Sequence, residues 1–91
     1  MNLRRSQAHI FIDILRLISK KGLAKPTHIL YGANLSHLRL KRYLESLQTM
    51  GFVEKEDQKN QTYFKVTKKG NDFLKEFKKV EELSEAFGVP I

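Results

Sequence analysis

Between residues 5 and 21, apolar side chains recur at Ile10, Phe11, Ile14, Leu15 and Ile18. Steps of three and four put them on one face of a helix. Ile12 and Leu17 fall off that stripe, so the helix is expected to be covered on more than one side. Lys20 and Lys21 occupy its last turn, where cations complement the helix dipole, and Gly22 closes it. The next segment, "KPTHILYG", opens with Pro26 at a first helical position. It has an apolar flank of Ile29, Leu30 and Tyr31 before Gly32 ends it. A short turn, "GANL", leads to Ser36, a good N-cap. A third helix is expected over residues 36–50, with Leu40, Tyr43, Leu44, Leu47 and Met50 inward and Gly51 as its stop.

There the period changes. "FVEKE" and "TYFKV" are strand-like runs rich in β-branched and aromatic residues. Between them "DQKNQ", residues 57–61, makes a polar hairpin tip with the turn formers Asp57 and Asn60. Thr67 caps a last helix in which Phe73, Phe77, Val80, Ser84 and Phe87 follow a 4-3-4-3 step, with Leu74 and Leu83 alongside. Gly88 and Pro90 end it, after about 20 residues or roughly 30 Å. The order helix, helix, helix, strand, strand, helix describes a mainly α fold with a small β-hairpin (α+β), the winged helix-turn-helix. With 91 residues the chain has room for one small domain. Residues 1–70 are expected to be the winged domain. Residues 71–91 continue it as a C-terminal helix for dimerisation.

Composition adds a partner. Net charge is +7, and the sequence pI is near 9.8. Residues 1–50 hold nine Lys/Arg against two acids, whereas residues 51–91 hold eight Lys against eight acids. Every arginine lies in the first half. Arginine suits phosphate forks and guanine edges, so this one-sided charge points to a polyanion. The other reading is charge kept for solubility. The absence of cysteine removes disulfides, thiolate zinc sites and thiol nucleophiles, and suits a reducing, cytoplasmic setting. "MNLRRSQAHIF" does not read as a signal peptide, and no run reaches the roughly 18 apolar residues of a membrane span.

With its leucines turned inward, the third helix leaves His37, Leu38, Arg39, Lys41 and Arg42 for a partner. His37, Leu38, Arg39 and Arg42 are expected at base edges and Lys41 on phosphate. Leu38 either touches thymine methyls or packs on the second helix. Glu45 would repel phosphate and marks where the contact stops. Thr27, Asn34 and Ser36 lie near helix starts, where backbone N–H groups hold phosphate, although capping is the main task of Ser36. Lys25 and His28 would touch the DNA backbone from the second helix. Lys59, Asn60 and Gln61 are wing candidates, tempered by Glu56 and Asp57; a plain solvated turn is the alternative. Arg4 and Arg5 form either a basic arm or a frayed end. His28 and His37 do not make a metal pair, so no metal or cofactor is expected. The stripe of Phe77, Val80, Leu83, Ser84 and Phe87 exceeds what so small a body can cover. A second copy is the economical cover; a helix folded back on its own domain is the other.

"YGANLSHLRLKRYLESLQTMGFVEKE" together with "YFKVTKKGNDFLKEF" resembles the small basic archaeal winged-helix DNA-binding proteins of the Sulfolobus ten-a type. The likeness covers nearly the whole chain, and "YGANLS", "RY" at Arg42–Tyr43 and "TKKG" carry it most specifically. It implies a winged helix-turn-helix that binds DNA in a chromatin-associated or regulatory role. It also implies dimerisation through an antiparallel coiled coil of C-terminal helices. The helix here ends at "FGVPI", shorter than in the longer relatives.

The expected function is therefore double-stranded DNA binding by a homodimer in the nucleoid. The helix over residues 36–50 would occupy the major groove, with the 57–61 hairpin as wing. The alternative is a winged-helix protein-interaction module of a larger nucleic-acid machine. RNA binding would need exposed stacking aromatics, and most of the nine aromatics are assigned to core or seam. An enzyme is not expected: the chain offers no phosphate loop, paired carboxylates or Ser–His–Asp set. Nothing indicates a small-molecule substrate or a membrane partner.

Overall fold

The computed structural model describes residues 6–90. Its elements follow the predicted order: α1 (Gln7–Lys21), α2 (Pro26–Ala33), α3 (His37–Thr49), β1 (Val53–Gln58), β2 (Gln61–Val66) and α4 (Lys68–Phe87). Three of the four helices begin at a hydroxyl cap. The side chains of Ser6, Ser36 and Thr67 accept from the backbone N–H of His9, Arg39 and Gly70 at 3.1, 3.3 and 3.1 Å. Each satisfies a donor that the helix itself cannot.

The core is built from one face of each of the first three helices and the inner face of the hairpin. Ile10, Ile14, Leu15 and Ile18 of α1 meet Ile29, Leu30 and Ala33 of α2, Leu40, Leu44 and Leu47 of α3, and Val53 and Phe64. Ile12 is buried as well, off the main stripe. It shares its side of α1 with His9 and Arg16, and that side meets α4. The His9 ring stands edge-on to Phe77 with centroids 6.0 Å apart, and Arg16 forms an ion pair with Glu81. α4 is thus folded back on its own domain as far as Glu81.

Gly32 does not end α2. The helix runs on to Ala33, and Asn34 closes it in the left-handed region at φ 54°, ψ 55°, a conformation asparagine tolerates better than most residues. Gly32 serves packing instead: a Cβ there would lie 2.8 Å from Leu17 Cδ2. The expected apolar flank also changes, because Tyr31 is 79% exposed while Ile29 and Leu30 are buried.

The strands pair antiparallel from Val53↔Val66 to Gln58↔Gln61. They run further than their apolar content indicates, so Asp57, Gln58 and Gln61 lie in strands and only Lys59 and Asn60 form the turn. Both have positive φ, 47° and 63°, as a tight two-residue hairpin turn requires. Ala24 adds a one-residue third strand: Ala24 N donates to Phe64 O at 2.9 Å, and Phe64 N donates to Ala24 O at 2.8 Å.

"TKKG" joins the hairpin to α4. Thr67 Oγ1 donates to Gly51 O at 2.6 Å while capping Gly70 N. Lys69 Nζ donates to Met50 O at 2.7 Å and lies 5.4 Å from the Phe52 ring centre. Gly70 is buried so closely that a Cβ would sit 2.3 Å from Phe52 O. Phe73 then stacks on Phe52, centroids 4.7 Å apart.

Candidate nucleic-acid interface

Burial of Leu40, Leu44 and Leu47 fixes the rotation of α3. Tyr43 sits half-buried beside them, its ring edge-on to Phe11 at 5.1 Å. The helical period then turns Leu38, Arg42 and Glu45 outward. His37, Leu38, Arg39, Lys41 and Arg42 are all exposed, with Leu38 at 60%. Arg39 is partly aimed, because its guanidinium lies 5.9 Å from the Tyr43 ring centre. Such a stack holds a cation over a ring face without removing it from solvent. Arg39 leans toward the α1 side with Arg42, where Gln7, Phe11 and Ser46 line the same shallow hollow. Lys41 lies on the hairpin side with His37.

The residues expected at helix starts divide. Lys25 is the N-cap residue of α2 without a side-chain cap bond, and its Nζ lies 5.9 Å from the Tyr63 ring centre. Thr27 and His28 are exposed in the first turn of α2. Ser36 caps α3. Asn34 closes α2 two residues before Ser36. The exposed Tyr31 lies one turn before Asn34, off the apolar flank it was expected to share with Ile29 and Leu30. Arg4 and Arg5 lie outside the described residues.

In the hairpin, Lys59 and Asn60 form the tip, and Gln61 Oε1 accepts from Tyr63 OH at 3.3 Å. The acids expected to temper the wing are already engaged. Lys65 Nζ lies 3.2 Å from Glu56 and 3.7 Å from Glu54. The Glu56 hydrogen bond and charge, with Glu54 behind it, raise the Lys65 pKa above its ordinary value. Asp57 accepts from Thr62 Oγ1 at 3.0 Å. Lys55 was missed by the sequence reading. It lines a groove of about 390 Å³ between α3 and the hairpin, with His37, Lys41, Glu45, Gln48 and Thr62. Counting by twos from the apolar Val53 puts Lys55 on the inner face and was the available signal.

The far half of α4 presents a different surface. Phe77 is half-buried against His9, but Val80, Leu83 and Phe87 are 46%, 60% and 76% exposed. Ser84 turns its hydroxyl to the Val89 carbonyl. Gly88, with φ 67°, lets the chain double back so that Val89 N donates to Ser84 O at 3.0 Å, the Schellman pattern. Val89 thereby joins Val80, Leu83, Ser84 and Phe87 around an apolar groove of about 310 Å³. An apolar residue directly after a closing glycine was the signal for it. No helix among the described residues is long and apolar enough to cross a membrane.

A sequence profile of the winged helix-turn-helix family matches residues 4–85. An uncharacterised protein of Methanocaldococcus jannaschii is 36% identical over 56 residues, covering 62% of this chain and 57% of that protein. The match thus spans little more than half of that relative. Among solved structures, Sso10a-2, a DNA-binding protein from Sulfolobus solfataricus, is similar with a TM-score of 0.73 at 24% identity, covering 92% of this chain and 90% of that one. The multiple antibiotic resistance repressor MarR gives 0.74 at 20% identity, over 91% and 65% of the two chains. A mutant of Lactococcus lactis ZitR in complex with DNA gives 0.69 at 17%, over 96% and 64%. At these identities the likeness is one of fold.

Proposed function

This chain belongs to the winged helix-turn-helix family, and we propose that it binds double-stranded DNA as a homodimer, in a chromatin-associated or regulatory role. The outward face of α3 carries the proposal. Arg39, Lys41 and Arg42 crowd one turn beside His37 and Leu38, all exposed on a helix whose rotation the core has fixed. The major groove admits such a helix, and guanidinium forks fit guanine edges and phosphates. The hairpin tip at Lys59 and Asn60 then serves as wing, with Lys25, Thr27 and His28 toward the DNA backbone. The DNA-binding descriptions of Sso10a-2 and ZitR agree with this use of the fold.

Dimerisation would cover the apolar groove of α4. The charges support an antiparallel pairing. Residues 68–79 carry five lysines and two acids, whereas residues 80–91 carry three acids and no cation. Antiparallel helices lay the basic half of one against the acidic half of the other.

Replacing Arg39 and Arg42 together by alanine tests the α3 assignment. Both are exposed, so the circular dichroism spectrum should be unchanged. Duplex affinity should fall about a hundredfold or more, and wild-type binding should weaken steeply with salt. Unchanged affinity in an anisotropy titration would overturn the assignment.

A further inference from the structure

We propose that the groove between α3 and the hairpin seats a DNA phosphate, and that Lys55 holds it together with Lys41. The proposal rests on the DNA reading above and adds a contact to it. Strand alternation places Val53, Lys55 and Asp57 on one face of β1, and Glu54, Glu56 and Gln58 on the other. Lys55 pairs with Phe64, a core residue, so its face is the one turned toward α3. The hairpin has therefore sorted its charge. Glu54 and Glu56 lie on the far face, drawn to Lys65 at 3.7 and 3.2 Å. Gln58 Nε2 also donates to Glu56, at 2.7 Å. Asp57, the acid on the near face, accepts from Thr62.

Lys41 of α3 and Lys55 of the hairpin consequently line one groove. Among the described residues, neither Lys41 nor Lys55 has an acid within ion-pair distance. Like charges facing each other cost energy until an anion lies between them. Glu45 is the acid in the groove lining. Two cations against one carboxylate give weak attraction for a free anion. They suffice for a phosphate already delivered by a duplex lying along α3. That phosphate belongs to the stretch of backbone between the major groove and the wing, where the two walls of the groove meet.

The test compares Lys55→Ala with Lys20→Ala, which removes the same charge from the exposed end of α1. Binding of selected and random duplexes is measured over a salt series. Lys55→Ala should weaken both duplexes alike, roughly three- to tenfold, and lower the log–log salt slope by about 1. Lys55→Arg should keep the slope. Inorganic phosphate at millimolar concentration should produce no Lys55-dependent shift in the amide spectrum; a saturable shift would make the groove a free-anion site and overturn the proposal. So would a Lys55→Ala slope equal to that of Lys20→Ala while Arg39→Ala/Arg42→Ala abolishes binding. If wild type binds no duplex at low salt, the DNA reading itself fails and this contact with it.

Discussion

Helices α3 and α4 are both amphipathic, both start at a hydroxyl cap, and both bury part of their apolar stripe in one small domain. They differ in what remains. The stripe of α3 is consumed by the core, and its remainder is Arg39, Lys41 and Arg42. The stripe of α4 outruns the core after Phe77, and its remainder is Val80, Leu83 and Phe87. A cationic remainder recruits phosphate, whereas an apolar one recruits protein. The unspent face of a helix thus says more about its partner than does its overall composition.

The comparison breaks hardest at the joint the two helices share. Gly70→Ala drives a Cβ against the Phe52 carbonyl at 2.3 Å and against Val66 Cγ1 at 2.7 Å. It should cost about 3 kcal/mol, a drop of roughly 15 °C in Tm by calorimetry, and weaken both functions together. Leu83→Glu with Phe87→Glu attacks only the apolar remainder. Self-association by sedimentation should weaken about a hundredfold, and duplex binding should lose its avidity while each head keeps its salt dependence. A wild type that sediments as a monomer would refute the dimer outright. Arg16→Ala tests whether the middle of α4 is anchored to α1; for so exposed a pair, a loss of about 0.5 kcal/mol or less is expected in urea unfolding.

The smallest effect concerns the hairpin. The Lys65 pKa is raised in the folded chain, so folding binds that proton more tightly. Its stabilisation is complete below the ordinary lysine range and fades as pH climbs through the raised value. Lys65→Met should therefore lower Tm slightly at neutral pH, and the gap should close in strong alkali. A gap that persists there would show that packing, not charge, holds Lys65 in place.

Wherever periodicity operates, the fold was legible. The inward leucines of α3 and the 4-3-4-3 stripe of α4 announce themselves because one helix face meets one core. Gly32 was misjudged for a physical reason. A glycine in a helix can answer the neighbour it lets approach, here Leu17, and that neighbour is distant in sequence. The strand ends escaped notice because Asp57 and Gln58 pair through backbone rather than apolar side chains. The exposed cations of α3 could be read from the helical period. Lys55 needed one step more: strand alternation from Val53 gives its face, and the packing of the hairpin shows that this face looks toward α3.

Gly70 has one more consequence. With no side chain to cushion it, the start of α4 is seated directly on the peptide that opens the hairpin. A helix of 20 residues is a lever about 30 Å long. A tilt of about 5° at that seat would swing its far end by roughly 2.6 Å. In the proposed dimer such a swing would shift the reach between the two α3 helices along the duplex. The smallest residue in the chain would then act as the fulcrum that sets the gauge of the whole assembly.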